Sequence, residues 1–181
     1  MEKLPKEFFS QDTEQVAKDL LWKIIKVWNK YWIIIETEAY KHNCDEASHA
    51  YWKKTERNKY MYDTYGFVYV YLIYGMHHCL NFTSDKEKPG AVLIRWVKQV
   101  EVGRSSEEIW KNLKFWRIIN WPGRVTKYFW IDRSFNWLDL EKTDKIQVLD
   151  AEIKLKNIQA THRIWISKAK DKLWRFVGEV G

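Results

Sequence analysis

IIIETEAY, residues 33–40, is the stretch on which the fold turns. A β-branched run followed by alternation of polar and apolar residues reads as a β-strand. A period of two puts Ile33, Ile35, Thr37 and Ala39 on one face and Ile34, Glu36, Glu38 and Tyr40 on the other. A carboxylate and an aromatic ring thus share one side of a strand backed by apolar residues. That pairing can serve an aromatic ligand. It is also the ordinary look of a packed ring beside a solvated glutamate, and on the strand alone the ordinary reading is favoured.

Working outward, VYVYLIYGMHHCLN (68–81) reads as a β-hairpin with Gly75 able to take the turn. It carries Tyr69, Tyr71 and Tyr74, and Asn81 on the return strand. Residues 10–21 form a helical stripe with Asp12 and Gln15 spaced as a capping box. Lys23–Val27 and Tyr31–Tyr40 read as paired strands joined by Trp28-Asn29-Lys30. Residues 41–66 make a polar loop too long for a mere connector. Residues 91–102 read as a strand with Arg95 inside the apolar run AVLIRWV, and a buried arginine requires an anionic partner. A capped helix is expected over 105–113 and a short basic helix over 123–129, followed by short strands within 146–177. No repeat, low-complexity segment or second domain is visible, so residues 1–181 are expected to form one domain.

The chain has 31 Lys and Arg against 24 Asp and Glu, a net charge of +7 and a pI near 9.2. That excess suits a polyanionic partner, nucleic acid before membrane. Two cysteines, Cys44 and Cys79, form no disulfide framework and fit a reducing cytoplasm. The N-terminal MEKLPKEFF lacks a signal-peptide pattern, and no apolar run reaches membrane-spanning length. A cytoplasmic protein is expected. The composition is odd in one respect: Trp numbers 12 and Gly 7, although glycine usually makes up about 7% of a chain.

Some candidate chemistry is weak. Glu36 and Glu38 lie roughly 6–7 Å apart along a strand, which invites a sugar-hydrolase acid/base pair, but such pairs seldom share a strand. His77-His78-Cys79 with His42 and Cys44 offers metal-ligand types. Adjacent strand residues face opposite ways, however, and no C-x-x-C spacing exists, so no metal is expected. Lys168–Lys172 reads as solvated surface.

Taken together, Glu38, Tyr40, His49, Tyr71, Tyr74, Asn81 and Arg95 resemble the alkyladenine (3-methyladenine) DNA glycosylase family. The resemblance covers nearly the whole chain. ETEAY (36–40), DEASH (45–49), TERNKYM (55–61), YVYLIYGM (69–76), Asn81, AVLIR (91–95), PGRVTK (122–127), IDRSFN (131–136), RIWISKA (163–169) and LWRFV (173–177) follow in family order. The resemblance implies one α+β domain: a curved, mainly antiparallel sheet, surrounding helices and a protruding β-hairpin that inserts into DNA. It implies a monofunctional glycosylase that flips alkylated or deaminated purines out of duplex DNA and hydrolyses the N-glycosidic bond, working as a monomer without metal or cofactor. Glu38 resembles the general base that activates water, and Arg95 the residue that orients it. Tyr40, His49 and Tyr71 resemble the rings that stack on the flipped base, Asn81 the residue that discriminates among purines, and Tyr74 the wedge that fills the gap left in the duplex. Arg124 and Lys127 are candidate phosphate contacts, with a solvated basic helix of equal weight. The different-class alternative is a catalytically silent, aromatic-rich DNA-binding module.

The sequence departs from the family pattern at DKEKPG (85–90), at Lys98-Gln99, where an acidic-Pro pair is usual, and at FVGEVG, where relatives continue for a short tail. It departs most in its tryptophans. Trp22, Trp28, Trp32, Trp121, Trp130, Trp137 and Trp165 stand where the family or the local turn calls for glycine. Trp52, Trp96, Trp110 and Trp116 sit in loops or near element ends, and Trp174 alone looks like a family tryptophan. Reverting the other eleven would restore an ordinary or slightly high glycine content. The expectation is a gene in which UGA encodes glycine, translated as though UGA were tryptophan.

Overall fold

Residues 33–40 fall within a twelve-residue strand, β2 (Lys30–Lys41), against which the rest of the sheet is placed. The structure is a computed structural model and describes residues 1–100, 117–150, 152–153 and 155–180. The helix expected over 105–113, together with Trp110 and Trp116, lies outside them. Among the described residues the other strands are β1 (Ile24–Val27), β3 (Val68–Ile73), β4 (His77–Ser84), β5 (Gly90–Gln99), β6 (Ile118–Ile119), β7 (Ile146–Leu149), β8 (Leu155–Thr161) and β9 (Arg175–Val180). The sheet runs β3-β4-β5-β2-β1-β7, with β6 on β5 and β9 on both β2 and β8, and each pairing is antiparallel. One edge of β2 follows β5. The other carries β1 opposite Lys30–Ile33 and β9 opposite Glu36–Glu38. Two strands sharing one edge of a long twisted strand curl the sheet, giving the α+β domain that the sequence suggested.

The alternation read from IIIETEAY is broken once. Ile34 pairs with Val97, Glu36 with Trp96 and Thr37 with Ile94, a bulge across Ile34–Thr37. Ile33 and Ile34 are consequently both fully buried, while Ile35 is half-buried. Past the bulge Glu36, Glu38 and Tyr40 share the side that forms the site. Thr37 turns the other way and donates its hydroxyl to the Ala17 carbonyl at 2.7 Å. Bulges re-aim side chains in this way next to functional sites.

Three α-helices cover the sheet among the described residues. α1 (Thr13–Asp19) is capped by Asp12, whose carboxylate accepts the Glu14 N–H, and buries Val16 and Ala17. α2 (Lys59–Asp63) lies within the long 41–66 segment. α3 (Pro122–Phe129) starts on proline, which needs no N–H at that position, and buries Val125, Thr126 and Phe129. Thr126 donates to the His78 carbonyl at 2.8 Å, fastening α3 to the β3–β4 hairpin. The hairpin turns through Tyr74-Gly75-Met76, leaving Tyr74 and Met76 at its exposed tip.

Candidate active site

β2, the β3–β4 hairpin, β5 and the segment before β9 enclose an open pocket of about 340 Å³. Tyr40, His49, Tyr71, Tyr74, Asn81 and Arg95 all line it. Glu38 lies behind this lining, with no exposed surface.

The Glu38 carboxylate is held by three donors. Its Oε1 accepts the Ile164 backbone N–H at 2.8 Å, its Oε2 accepts the Tyr40 hydroxyl at 2.8 Å, and Arg95 Nη1 stands 3.2 Å from Oε2. A carboxylate offers about four lone-pair directions, so one remains for a further donor. Burial pushes the carboxyl pKa up, against the pull of Arg95 and the hydrogen bonds. Burial, with the nearby Glu38 charge, also pushes the Tyr40 phenol far up and keeps its proton on the donating oxygen.

Arg95 has the anionic partners its apolar strand demanded, and it has two. Its Nε donates to Glu36 Oε1 at 2.7 Å while Nη1 faces Glu38. Arg175 Nη1 reaches the same Glu36 oxygen at 3.1 Å. Glu36 is therefore a structural residue, a buried counter-ion shared by two guanidinium groups.

Tyr40, His49 and Tyr71 all line the pocket. His49 stacks on Tyr71 with centroids 3.4 Å apart and planes 25° apart, and the Arg57 guanidinium packs 4.2 Å from the Tyr71 centroid. His49 Nδ1 lies 3.2 Å from the Tyr69 hydroxyl. Burial among the rings, followed by the Arg57 charge, pushes the His49 pKa down to about 4. The residue keeps an exposed outer surface on the open pocket. Asn81 is fixed by Nδ2 donating to the Tyr69 carbonyl at 3.1 Å and the Cys79 carbonyl at 3.0 Å. Both amide protons being spent, Asn81 offers the pocket its Oδ1 acceptor.

Tyr74 is 73% exposed at the hairpin tip and shares no tight core contact. Arg124 and Lys127 point outward from one face of α3, beside the hairpin. The histidine and cysteine candidates do not gather: among the described residues no three His, Cys, Asp or Glu side chains are placed to hold a metal ion.

Two parts of the site escaped the sequence reading. One is the Ile164 N–H, a backbone donor with no side-chain signature. The other is a buried ion pair, Arg163 Nη2 to Asp45 Oδ1 at 2.6 Å and Nη1 to Oδ2 at 2.6 Å. Arg163 also donates to the Ala39 carbonyl at 2.9 Å and lies 4.7 Å from the Tyr40 ring centroid. The only signal available was an arginine opening the otherwise uncharged block RIWIS; Asp45, in the polar block DEASH, carries none.

Comparison with known proteins bears on this pocket. The profile of the family described as Methylpurine-DNA glycosylase matches residues 7–180. A protein of Clostridium novyi is 43% identical, the match covering 97% of this chain and 94% of the relative. One from Rickettsia felis is 41% identical over 96% of this chain and 92% of its own length. One from Ehrlichia ruminantium is 37% identical over 96% and 88%. All three bear the name "Putative 3-methyladenine DNA glycosylase".

Proposed function

The chain belongs to the methylpurine-DNA glycosylase family, and from that membership we propose that it excises alkylated or deaminated purines, of the 3-methyladenine, hypoxanthine and ethenoadenine class, from duplex DNA. The observation that carries this reading is Glu38: a carboxylate with no exposed surface, behind an aromatic pocket, with one lone-pair direction left by its three donors.

The target nucleotide leaves the duplex and its base enters the pocket between Tyr40 and the stacked His49–Tyr71 pair. A purine alkylated on its ring is cationic, so aromatic faces attract it and a neutral His49 does not repel it. Asn81 Oδ1 accepts from a donor on the purine edge and disfavours an acceptor placed there. Tyr74, at the exposed hairpin tip, fills the vacated space in the stack. Arg124 and Lys127 meet phosphates beside it.

In the chemical step a water oxygen bonds to C1′ and its proton passes to Glu38. The purine departs with the electron pair of the glycosidic bond, leaving an abasic site. Arg95 keeps Glu38 oriented, and the carboxylate charge stabilises the positive character that develops on the sugar. A base alkylated at N3 or N7 is cationic and leaves as a neutral purine without an acid, whereas hypoxanthine and ethenoadenine leave as anions that take up a proton from water. The step as proposed uses one protein chain and no metal or cofactor.

The test is incubation of the protein with duplexes carrying a single 3-methyladenine, hypoxanthine or ethenoadenine, followed by alkaline cleavage at abasic sites. Cleavage at one or more lesions and none at the undamaged control is expected. Lesion binding without base release from any of them would return the silent DNA-binding module.

A further inference from the structure

Left-handed backbone is the territory of glycine, because a Cβ there crowds the following carbonyl. Among the described residues ten non-glycine residues adopt it, and five are tryptophans: Trp22 (φ 65°), Trp28 (φ 54°), Trp130 (φ 58°), Trp137 (φ 69°) and Trp165 (φ 65°). Two glycines, Gly66 and Gly75, do so. Asn43 and Asp85 belong to the short polar types that tolerate the region; Tyr74, Glu152 and Ala169 are single instances of their types, whereas tryptophan recurs five times.

The local hydrogen bonds mark several of these positions as glycine slots in their own right. Trp130 (φ 58°, ψ 36°) closes α3: its N–H points to the Lys127 carbonyl, and Ile131 N–H bonds the Thr126 carbonyl at 2.9 Å. That is a Schellman closure, which places glycine where Trp130 stands. Phe135–Leu138 form a turn in which Asn136 has φ −56° and ψ 141°, Trp137 follows, and Leu138 N–H reaches the Phe135 carbonyl at 3.3 Å. This is type II geometry, whose third residue calls for glycine. Trp28 is the first of two residues joining β1 to β2, with Val27 paired to Lys30, another position of positive φ in tight hairpins. Trp22 follows the end of α1 and sends its N–H to the Ile34 carbonyl at 2.7 Å.

Packing compensates at some of these positions and not at others: Trp137 keeps ring contacts with Tyr60 and Phe67, at centroid distances of 5.4 and 5.3 Å. Trp28, Trp130, Trp137 and Trp165 are all exposed, Trp130 by 80% and Trp165 by 78%. Trp22 is buried and its indole N–H donates to the Gly178 carbonyl at 2.9 Å, so at this position the case rests on the backbone alone.

We propose that these five residues are glycine in the protein its own cell makes, UGA being decoded there as glycine, and that position 165 thereby opens the lesion pocket to DNA. One codon with two meanings swaps one pair of amino acids, which accounts for tryptophan supplying five of the ten left-handed non-glycine positions. The half concerning the pocket rests on the proposed function. Trp165 follows Ile164, whose N–H holds Glu38, and its exposed indole stands on the pocket rim. Bare backbone there lets the nucleotide come close. Trp32, Trp52, Trp96 and Trp121 have ordinary backbone, so this argument does not extend to them.

The gene is read first. TGA at codons 22, 28, 130, 137 and 165 is expected, and TGG at them overturns the proposal. Next, the full chain as written is compared with the version carrying Trp→Gly at the four exposed positions 28, 130, 137 and 165, Trp22 being left because its ring is buried. A melting temperature higher by several degrees, roughly 5 °C, is expected, and no rise would overturn the claim of backbone strain. Finally Trp165→Gly is titrated with a duplex carrying ethenoadenine. Several-fold tighter binding than the chain as written is expected. Unchanged binding removes the pocket half and leaves the glycine assignment standing. Absence of lesion binding by every version defeats the DNA reading on which that half rests.

Discussion

Arg163 and Asp45, 118 residues apart, form a two-pronged ion pair with no exposed side-chain surface. It ties the segment after β2 to the segment before β9, holding Ile164 N–H at Glu38 and a guanidinium against the Tyr40 ring. The pair thereby fixes two of the Glu38 carboxylate's three donors without touching the carboxylate itself.

Asp45→Asn keeps the shape and removes the charge, leaving a buried guanidinium without its counter-ion. Removing one partner of a buried pair costs about 3–5 kcal/mol, and the retained amide oxygen places this change near the lower end. Urea unfolding monitored by fluorescence measures it. A loss below about 1 kcal/mol, which is what exposed pairs contribute, would show that the pair is not structural.

Glu38→Gln should bind lesion DNA as the parent does and lose base excision, because the amide keeps the shape but cannot take a proton from water. Single-turnover excision near the parental rate would remove Glu38 from the chemistry. Glu36→Gln should behave differently, lowering stability because Arg95 and Arg175 lose their shared carboxylate, while base release persists in the fraction that remains folded.

How much of this was legible in the sequence depends on the range of the interaction. Period-two alternation and a turn glycine are local signals, and they located β2, the β3–β4 hairpin and the shared side of Glu38 and Tyr40. The bulge was not legible, since it exists only against β5, some sixty residues later in the chain. Without it, Ile34 was read on the face of Glu36 and Glu38, whereas it is buried directly beside Ile33. The Ile164 donor was invisible because every residue but proline carries the same N–H. The Asp45–Arg163 pair was invisible because neither local pattern says which distant block it meets. The left-handed positions of Trp22, Trp28, Trp130, Trp137 and Trp165 were legible because turn chemistry is set by a handful of neighbouring residues, whereas Trp32 and Trp121, read in the same way, have ordinary extended backbone.

The pH dependence of excision follows from the burial of Glu38. Its pKa in the folded protein is raised above the ordinary 4.5, chiefly by burial, and the base works when ionised. Excision should therefore fall on the acid side with a midpoint above 4.5. Stability runs the other way: a raised folded pKa contributes stability that is fully present below 4.5 and is lost as pH rises through the folded value. Relative to Glu38→Gln, the parent should thus gain stability on acidification while losing rate. A rate that is flat down to pH 4.5 would contradict the assignment.

Tyr74→Ala should weaken binding to lesion duplex and slow excision while leaving the unfolding midpoint within about 0.5 kcal/mol of the parent, as surface changes usually do. The ring is exposed and the turn is closed by Met76 N–H on the Ile73 carbonyl, independently of the side chain. A variant that unfolds early yet binds lesion DNA normally would make Tyr74 a packing residue.

Trp130→Gly and Trp174→Gly should move stability in opposite directions, and the contrast isolates backbone from packing. Trp130 is exposed with φ 58° and ψ 36°. Relieving left-handed geometry gains roughly 1–2 kcal/mol, offset by about 0.5–1 kcal/mol for the greater freedom of glycine in the unfolded chain. The net is a small stabilisation. Trp174 is half-buried in ordinary backbone, its ring 5.3 Å from the Arg163 guanidinium and 5.5 Å from Lys41 Nζ, and its carbonyl accepts the Ala39 N–H at 2.9 Å. Stripping that ring opens the buried Arg163–Asp45 pair to water and removes packing worth about 3 kcal/mol or more. Thermal unfolding of the two single variants decides: a higher midpoint for Trp130→Gly and a lower one for Trp174→Gly are expected. Destabilisation of both by similar amounts would mean that Trp130 earns its place by contacts rather than standing at a glycine position.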